Sequence, residues 1–189
     1  MEENFFMSKQ VLIPIADGSE EIEAVCIIDV LRRAGASVTV ASVDGLQVIA
    51  SRGVKLIADN LISECVDRTF DLIVLPGGMP GAEHMRDSRE LTEMLKQQQK
   101  EGRLYGAICA SPAVVLMHHG LLSGKRATCH PDFSDRLENR EEVDSRVVVD
   151  GNCVTSRGPG TAIEFALKLV ELLFGSEKAA EVAKPMIVH

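Results

Sequence analysis

The sequence has no C-x-x-C pair among its five cysteines, Cys26, Cys65, Cys109, Cys129 and Cys153, which are odd in number and widely scattered. That spacing excludes a disulfide framework and reads as free thiols in a reducing compartment, with the cytoplasm as the expected location. No stretch approaches the ~20 apolar residues that span a bilayer. The start, Met1-Glu2-Glu3-Asn4-Phe5-Phe6-Met7, is acidic with a short apolar run, so neither a signal peptide nor a basic targeting helix is expected there. Basic residues are also in deficit, 20 Lys and Arg against 28 Asp and Glu for a net charge of -8, so neither nucleic acid nor an anionic membrane is an expected partner. There is no internal repeat and no low-complexity linker. A chain of 189 residues that is 46% hydrophobic fills one core, so residues 10–189 are expected to form a single domain behind a flexible N-terminal extension, 1–9.

What is present is an alternation of strand and helix. Val11 to Ile15 and Leu72 to Leu75 are apolar without interruption, the pattern of strands covered on both faces, Leu104 to Ile108 reads as another buried strand, and Val38 to Val43 as a strand restarting just past Gly35. The spacing of Ala24, Ile27, Ile28 and Leu31 predicts a helix from Glu20 to Arg33, with acids in its first turn, arginines in its last and Gly35 as its stop. Another is predicted over Ser88 to Glu101, with Leu91, Met94 and Leu95 inward. Val48 to Ala58, broken at Arg52-Gly53, predicts two short strands around a turn, and Arg146 to Val149 with Cys153 to Ser156 predicts a hairpin. Ala113 to Met117 predicts a short buried helix, Ile163 to Phe174 a helix buried over more than one face, and Ser176 to Lys184 a final one. Residues 121–145 carry the least pattern. The fold class is α/β, a mostly parallel sheet with helices on both faces.

In such sheets the chemistry collects beyond the carboxyl ends of the strands. The first strand is followed by Glu20, Glu21 and Glu23, the strand at 72–75 by Gly77-Gly78, and the strand ending at Ile108 by Cys109. Topology leads us to expect that these meet in one crevice. Cys109 stands among the small residues Gly106, Ala107 and Ala110 at a strand-to-helix turn, as a nucleophile on a strained elbow does. Pro112 suits the first turn of the next helix, Ser111 its cap, and the positive helix end is expected to lower the thiol pKa. The N–H groups of the Gly77-Gly78 turn and of Ala110 would then form an oxyanion hole. Each feature also has a plainer reading. Cys109 fits a buried structural thiol, Pro76-Gly77-Gly78 a simple turn, the glutamates a good helix start, and His130 beside Pro131 a loop histidine. Arg157-Gly158-Pro159-Gly160 lacks the Gly-Lys-Ser/Thr ending of a phosphate loop, and Cys129-His130 lacks the two further ligands that zinc needs, so no metal is expected.

Taken in order and spacing, "DGSEEIEAV", "IDVLRRAG", "VLPGG", "AICASP", "TCHP" and "TSRGPGTAIEFAL" resemble the DJ-1 subfamily of the DJ-1/PfpI superfamily, from about Val11 to the last helix. The resemblance implies a flavodoxin-like sandwich that forms a homodimer and uses no cofactor. It implies Cys109, Glu23 and His130 as catalytic residues, and Gly78 and Ala110, beside Gly77, as oxyanion or substrate-binding positions. It places Arg33, Arg52 and Asp29 near the site or the dimer interface, and gives Asp29 and Arg157 mainly structural roles. A carboxyl beside a thiolate resists ionising, so Glu23 is expected to keep its proton and donate a hydrogen bond to the sulfur. The activity implied is that of a glutathione-independent glyoxalase or deglycase acting on small 2-oxoaldehydes. The alternative is a redox sensor or chaperone that works through oxidation of Cys109 to sulfinate, with client or signalling proteins as partners. Two positions depart from the pattern: Ala50 stands where many animal members carry a second cysteine, and Ser111 where glycine or alanine is common.

Overall fold

The computed structural model describes residues 8–188, so residues 1–7 of the expected N-terminal extension lie outside the described residues. The strands are β1 (Gln10–Ile15), β2 (Ser37–Ser42), β3 (Gln47–Ile49), β4 (Lys55–Ile57), β5 (Asn60–Leu61), β6 (Leu72–Leu75), β7 (Leu104–Ile108), β8 (Val147–Asp150) and β9 (Cys153–Ser156). The helices are α1 (Glu21–Arg33), α2 (Gly81–Asp87), α3 (Arg89–Lys100), α4 (Ala162–Phe174) and α5 (Ser176–Ala183). Seven strands form one sheet in the order β5-β2-β1-β6-β7-β9-β8, parallel throughout except where β8 runs against β9; β3 and β4 form a separate antiparallel ribbon.

Every residue of β6, and all of β1 after Gln10, is buried. Successive side chains of a strand point to opposite faces, so both faces of the central sheet are covered, as its uninterrupted apolar runs require. One cover is α1 and α4, packed on each other, with α5 against α4; the other is α3 against β6 and β7, the helical segment Pro112–Met117 against β7, and α2 against β1 and that segment. Pro14 has no N–H to donate, and it falls beyond the last β1–β6 pair, Leu12↔Ile73. The carboxyl end of β1 is thereby released from β6 just before the residues of the crevice.

The helix at 162–174 departs from its expected wide burial. Phe165, Ala166, Leu169 and Val170 are buried, but Ile163 and Leu172 are exposed, so α4 hides one stripe rather than most of its circumference. Among the described residues no helix is long and apolar enough to cross a membrane.

Candidate active site

Cys109 follows β7 directly with φ at +66°, a left-handed conformation that costs a non-glycine residue strain. Two backbone bonds hold it there: its N–H donates to Ser156 O at 3.0 Å, and its carbonyl accepts from His130 N–H at 2.7 Å. The chain then enters a π-helical turn, Pro112–Met117, with Pro112 in its first turn as expected. Ser111 does not cap it. The Ser111 hydroxyl donates instead to Pro76 O at 2.6 Å, satisfying a buried carbonyl and tying the elbow to the end of β6.

The three early glutamates divide their work. Glu20 is the N-cap of α1 and accepts from Glu23 N–H at 2.8 Å. Glu21 turns toward the β3–β4 ribbon, accepting from Ser51 Oγ at 2.9 Å and Arg52 N–H at 2.8 Å. Glu23 is fully buried and turns inward, its Oε2 accepting from Gly77 N–H at 2.7 Å. Its side chain lies against that of Cys109. The approach is a contact rather than an aligned hydrogen bond, because Oε1 is buried with no partner of hydrogen-bond geometry.

Glycine is obligatory where β6 meets this pair. A Cβ on Gly77 would stand 2.6 Å from the Cys109 Cβ and 3.0 Å from both Ala110 N and Glu23 Oε2. One on Gly78, at φ +90°, would stand 2.3 Å from Gly18 O. The strand ends of β1, β6 and β7 thus converge as topology predicted.

The electrostatics correct one expectation. Burial, then the charge of Glu23, pushes the Cys109 thiol up to about 12, although the N–H groups of Gly78 and Ala110 pull it down. The helix end therefore does not give the lowered pKa expected from sequence, because desolvation and a neighbouring carboxylate outweigh it. Burial also pushes Glu23 up to about 7, against the pull of Gly77 N–H and Cys109 and with a further upward push from Glu20. The two groups are coupled, because a charged Glu23 strengthens the hold of the sulfur on its proton.

Beside the pair opens a cavity of about 360 Å³ whose lining includes Glu20, Arg52, Gly78, Cys109, His130 and Asp132. Arg52 is anchored by its bond to Glu21 and by donation from its guanidinium to Ser51 O at 3.2 Å. The His130 Nδ1 accepts from Asp132 N–H at 3.3 Å, which leaves Nε2 to carry the proton of the neutral ring. Arg33 and Asp29 are not brought here. They pair with each other at 2.5 Å on the exposed face of α1, about 9 Å (Asp29) and about 15 Å (Arg33) of helix rise beyond Glu23. Arg157 pairs with Asp144 at 3.3 Å. Ser51, Met79, Asp132, Phe133 and Pro159 also line the cavity and were not singled out from sequence; only the nearness of Asp132 to His130 offered a signal. Among the described residues no three His, Cys, Asp or Glu side chains are grouped to hold a metal ion.

An open, mostly parallel sheet with a cysteine elbow over a buried carboxyl and two backbone donors defines a flavodoxin-like protein with a thiol-centred site. The chain belongs to the DJ-1/PfpI family, whose model matches residues 9–172. It is similar to Arabidopsis thaliana protein DJ-1 homolog B, 53% identical over 98% of this chain, and spans 42% of the length of that relative. It is also similar to the Caenorhabditis elegans glutathione-independent glyoxalase DJR-1.2, 40% identical over 95% of each chain. Among solved structures, oxidized DJ-1 from Toxoplasma gondii superposes with a TM-score of 0.93 at 53% identity, covering 96% of this chain and 99% of the other.

Proposed function

We propose that the chain converts small 2-oxoaldehydes such as methylglyoxal to 2-hydroxy acids without glutathione, metal or cofactor, acting in the cytoplasm against carbonyl stress. The observation that carries this reading is the buried contact between Cys109 and Glu23 beside the cavity, with the Gly78 and Ala110 N–H groups at the sulfur. When the thiol passes its proton to Glu23, the sulfur becomes a thiolate facing the cavity. It adds to the aldehyde carbon, and the electrons of the C=O bond move to oxygen, which Gly78 and Ala110 N–H stabilise and Glu23 protonates. The Glu23 carboxylate then removes the hydrogen on that carbon, giving an enediol, and returns it to the neighbouring carbon, with His130 moving protons at the outer oxygens. The product is a lactyl thioester on Cys109. Water cleaves it to lactate and regenerates the thiol, so the net change is addition of one water with no external oxidant. Release of aldehyde from glycated amines is the same chemistry begun from a bound adduct.

A nematode relative named as a glutathione-independent glyoxalase supports the reading. Its test is lactate formation from methylglyoxal, with neither glutathione nor metal added, by wild type, Cys109→Ser and Glu23→Gln. Lactate from the wild type alone is expected. A folded wild type that forms none refutes the proposal.

The same cavity also suits a redox role, which the oxidised state of the Toxoplasma relative favours. Peroxide would transfer one oxygen to the Cys109 thiolate to give sulfenate and water, and a second to give sulfinate, with client or signalling proteins reading the change. Glu23 and the Gly78 and Ala110 N–H groups would bond the new oxygens. Mass spectrometry of Cys109 after graded peroxide, compared in wild type and Glu23→Gln, tests it; equal oxidation of both removes the role assigned to Glu23.

Assembly belongs to the proposal as well. Ile22 and Val25 on α1, with Ile49 and Ile57 on the β3–β4 ribbon, are between 48% and 76% exposed. We take this apolar face as the seat of a second copy of the chain. Arg33 and Asp29 lie on the same helix, which would bring them to the dimer interface.

A further inference from the structure

Two loops meet at the site with little but backbone between them. A Cβ on Gly18 would lie 2.5 Å from Pro80 Cδ, one on Gly81 would lie 2.4 Å from Ser19 N, and Gly78 is pressed on Gly18 O as described above. Glu20 N–H donates across the seam to Gly77 O at 2.9 Å. Movement of either loop therefore moves Gly78, whose N–H faces the Cys109 sulfur.

The outer end of this seam is fastened by one atom. The Asp44 Oδ2 accepts from Asp17 N–H at 2.9 Å and lies 2.8 Å from His84 Nδ1. Asp17 opens the first loop, and its own Oδ1 accepts from Ile49 N–H at 2.7 Å. His84 stands in α2, the helix that continues from the second loop through Ala82 N–H donating to Gly78 O at 2.9 Å. One carboxylate oxygen, held on the loop after β2, thus bridges both loops that fix Gly78. Neither Asp44 nor His84 lines the Cys109 cavity.

We propose that His84 and Asp44 are positioning residues for the Cys109 site, tying α2 to the β1–α1 loop so that Gly78 N–H is held against the sulfur. This rests on Cys109 being the reactive group, but not on lactate being its product. The groups that face His84 agree with a cationic ring. Asp44 bonds it, Asp17 and Glu83 add their charges, and Asp87 sits on the same helix; Arg89 and Glu90 complete the adjoining hollow. The bond to Asp44, against the opposing effect of burial, holds His84 above the ordinary histidine range. The raised value means that the tie is strongest at low pH and weakens as pH rises through the His84 titration.

The test is the rate at which iodoacetamide alkylates Cys109, followed by mass spectrometry of its peptide across pH, because that rate reads the thiolate directly. His84→Leu and Asp44→Ala are each expected to slow it by about three- to tenfold at fixed pH, the range set by losing one partly exposed hydrogen bond of ordinary strength. The double variant should be no slower than either single, and His84→Gln, which keeps a donor, should recover most of the rate. Rates within about twofold of wild type in folded variants, or losses that multiply in the double variant, overturn the proposal. Should the variants not fold, hydrogen exchange of the unaltered protein decides. The Asp17 and Gly78 amides are expected to open together as His84 titrates, and independent protection refutes the tie. Wild type that makes no lactate while alkylation responds to His84 would sink the glyoxalase reading and leave this one standing.

Discussion

Glu23→Gln preserves the shape of the side chain and leaves an oxygen to accept from Gly77 N–H, but it removes a titration from the core. Glu23 is fully buried, and burial raises its pKa from 4.5 to about 7. An unfolded chain ionises this carboxyl at the ordinary value. Between the two values the folded protein therefore holds a proton that the unfolded chain has released. The sign follows from linkage: stability from this group is fully present below the unfolded value and is lost as pH rises through the window to the folded value. At 1.36 kcal/mol per tenfold change in proton affinity, the loss is about 3 kcal/mol. The glutamine variant has no such loss, so its stability relative to wild type should grow by about 3 kcal/mol from pH ~4.5 to pH ~8. For a chain of 189 residues this is roughly 6 to 12 °C in Tm. Urea unfolding of both proteins at a series of pH values measures the difference directly. A difference that stays flat across the window, or a wild type that gains on the variant as pH rises, would refute the buried, proton-holding Glu23.

Three further outcomes are expected. Ser111→Ala strips the donor from the buried Pro76 carbonyl and should cost about 1–3 kcal/mol in urea unfolding, whereas loss of an exposed cap would cost less. Gly78→Ala drives a Cβ into Gly18 O and Glu20 N at a φ of +90° and should both destabilise the fold and slow Cys109 alkylation; a stable variant of unchanged reactivity would show that the loop shifts freely. Ile22→Glu and Ile57→Glu place charge on the exposed apolar face and should leave monomers in sedimentation analysis, with a dimer unaffected by either substitution locating the interface elsewhere.

The sheet was legible because strands buried on both faces must be apolar at every buried position, and β1 after Gln10, β6 and β7 are. The start of α1 was legible too, because acids fill its first turn; the cap of α3, where Ser88 accepts from Leu91 N–H, was not singled out. What the residues hid was tertiary. The helix α2 is one short polar stretch with no apolar period of its own, and β5 is a two-residue bridge that exists only because β2 lies beside it. Ser111 carries the composition of a cap, and nothing local announces that the carbonyl of Pro76 will stand nearer. The same holds for the thiol. A helix end is readable from Pro112, but the desolvation that outweighs it depends on how three strand ends close together.

That last point bears on how a reactive thiol is recognised. Burial pushes Cys129 up to about 11 and Cys153 up to about 12, and Cys109 stands no lower. A thiol pKa taken alone therefore does not separate Cys109 from two inert core cysteines. Its neighbours do. Cys153 faces Tyr105 and Cys129 faces the permanently charged Arg157, and neither partner takes up a proton near neutral pH. Cys109 faces Glu23, whose own affinity for a proton has been raised to about 7 by the same desolvation. Moving a proton from sulfur to carboxyl leaves the net charge of the buried pair unchanged, so it avoids the penalty that removing it to water would carry. The N–H groups of Gly78 and Ala110 favour a charged sulfur, while Gly77 N–H favours a charged carboxyl. On the proposed function, reactivity at Cys109 would depend on a local proton shift within the pair rather than on a low pKa, so Glu23 and the position of Gly78 would matter as much as the cysteine itself.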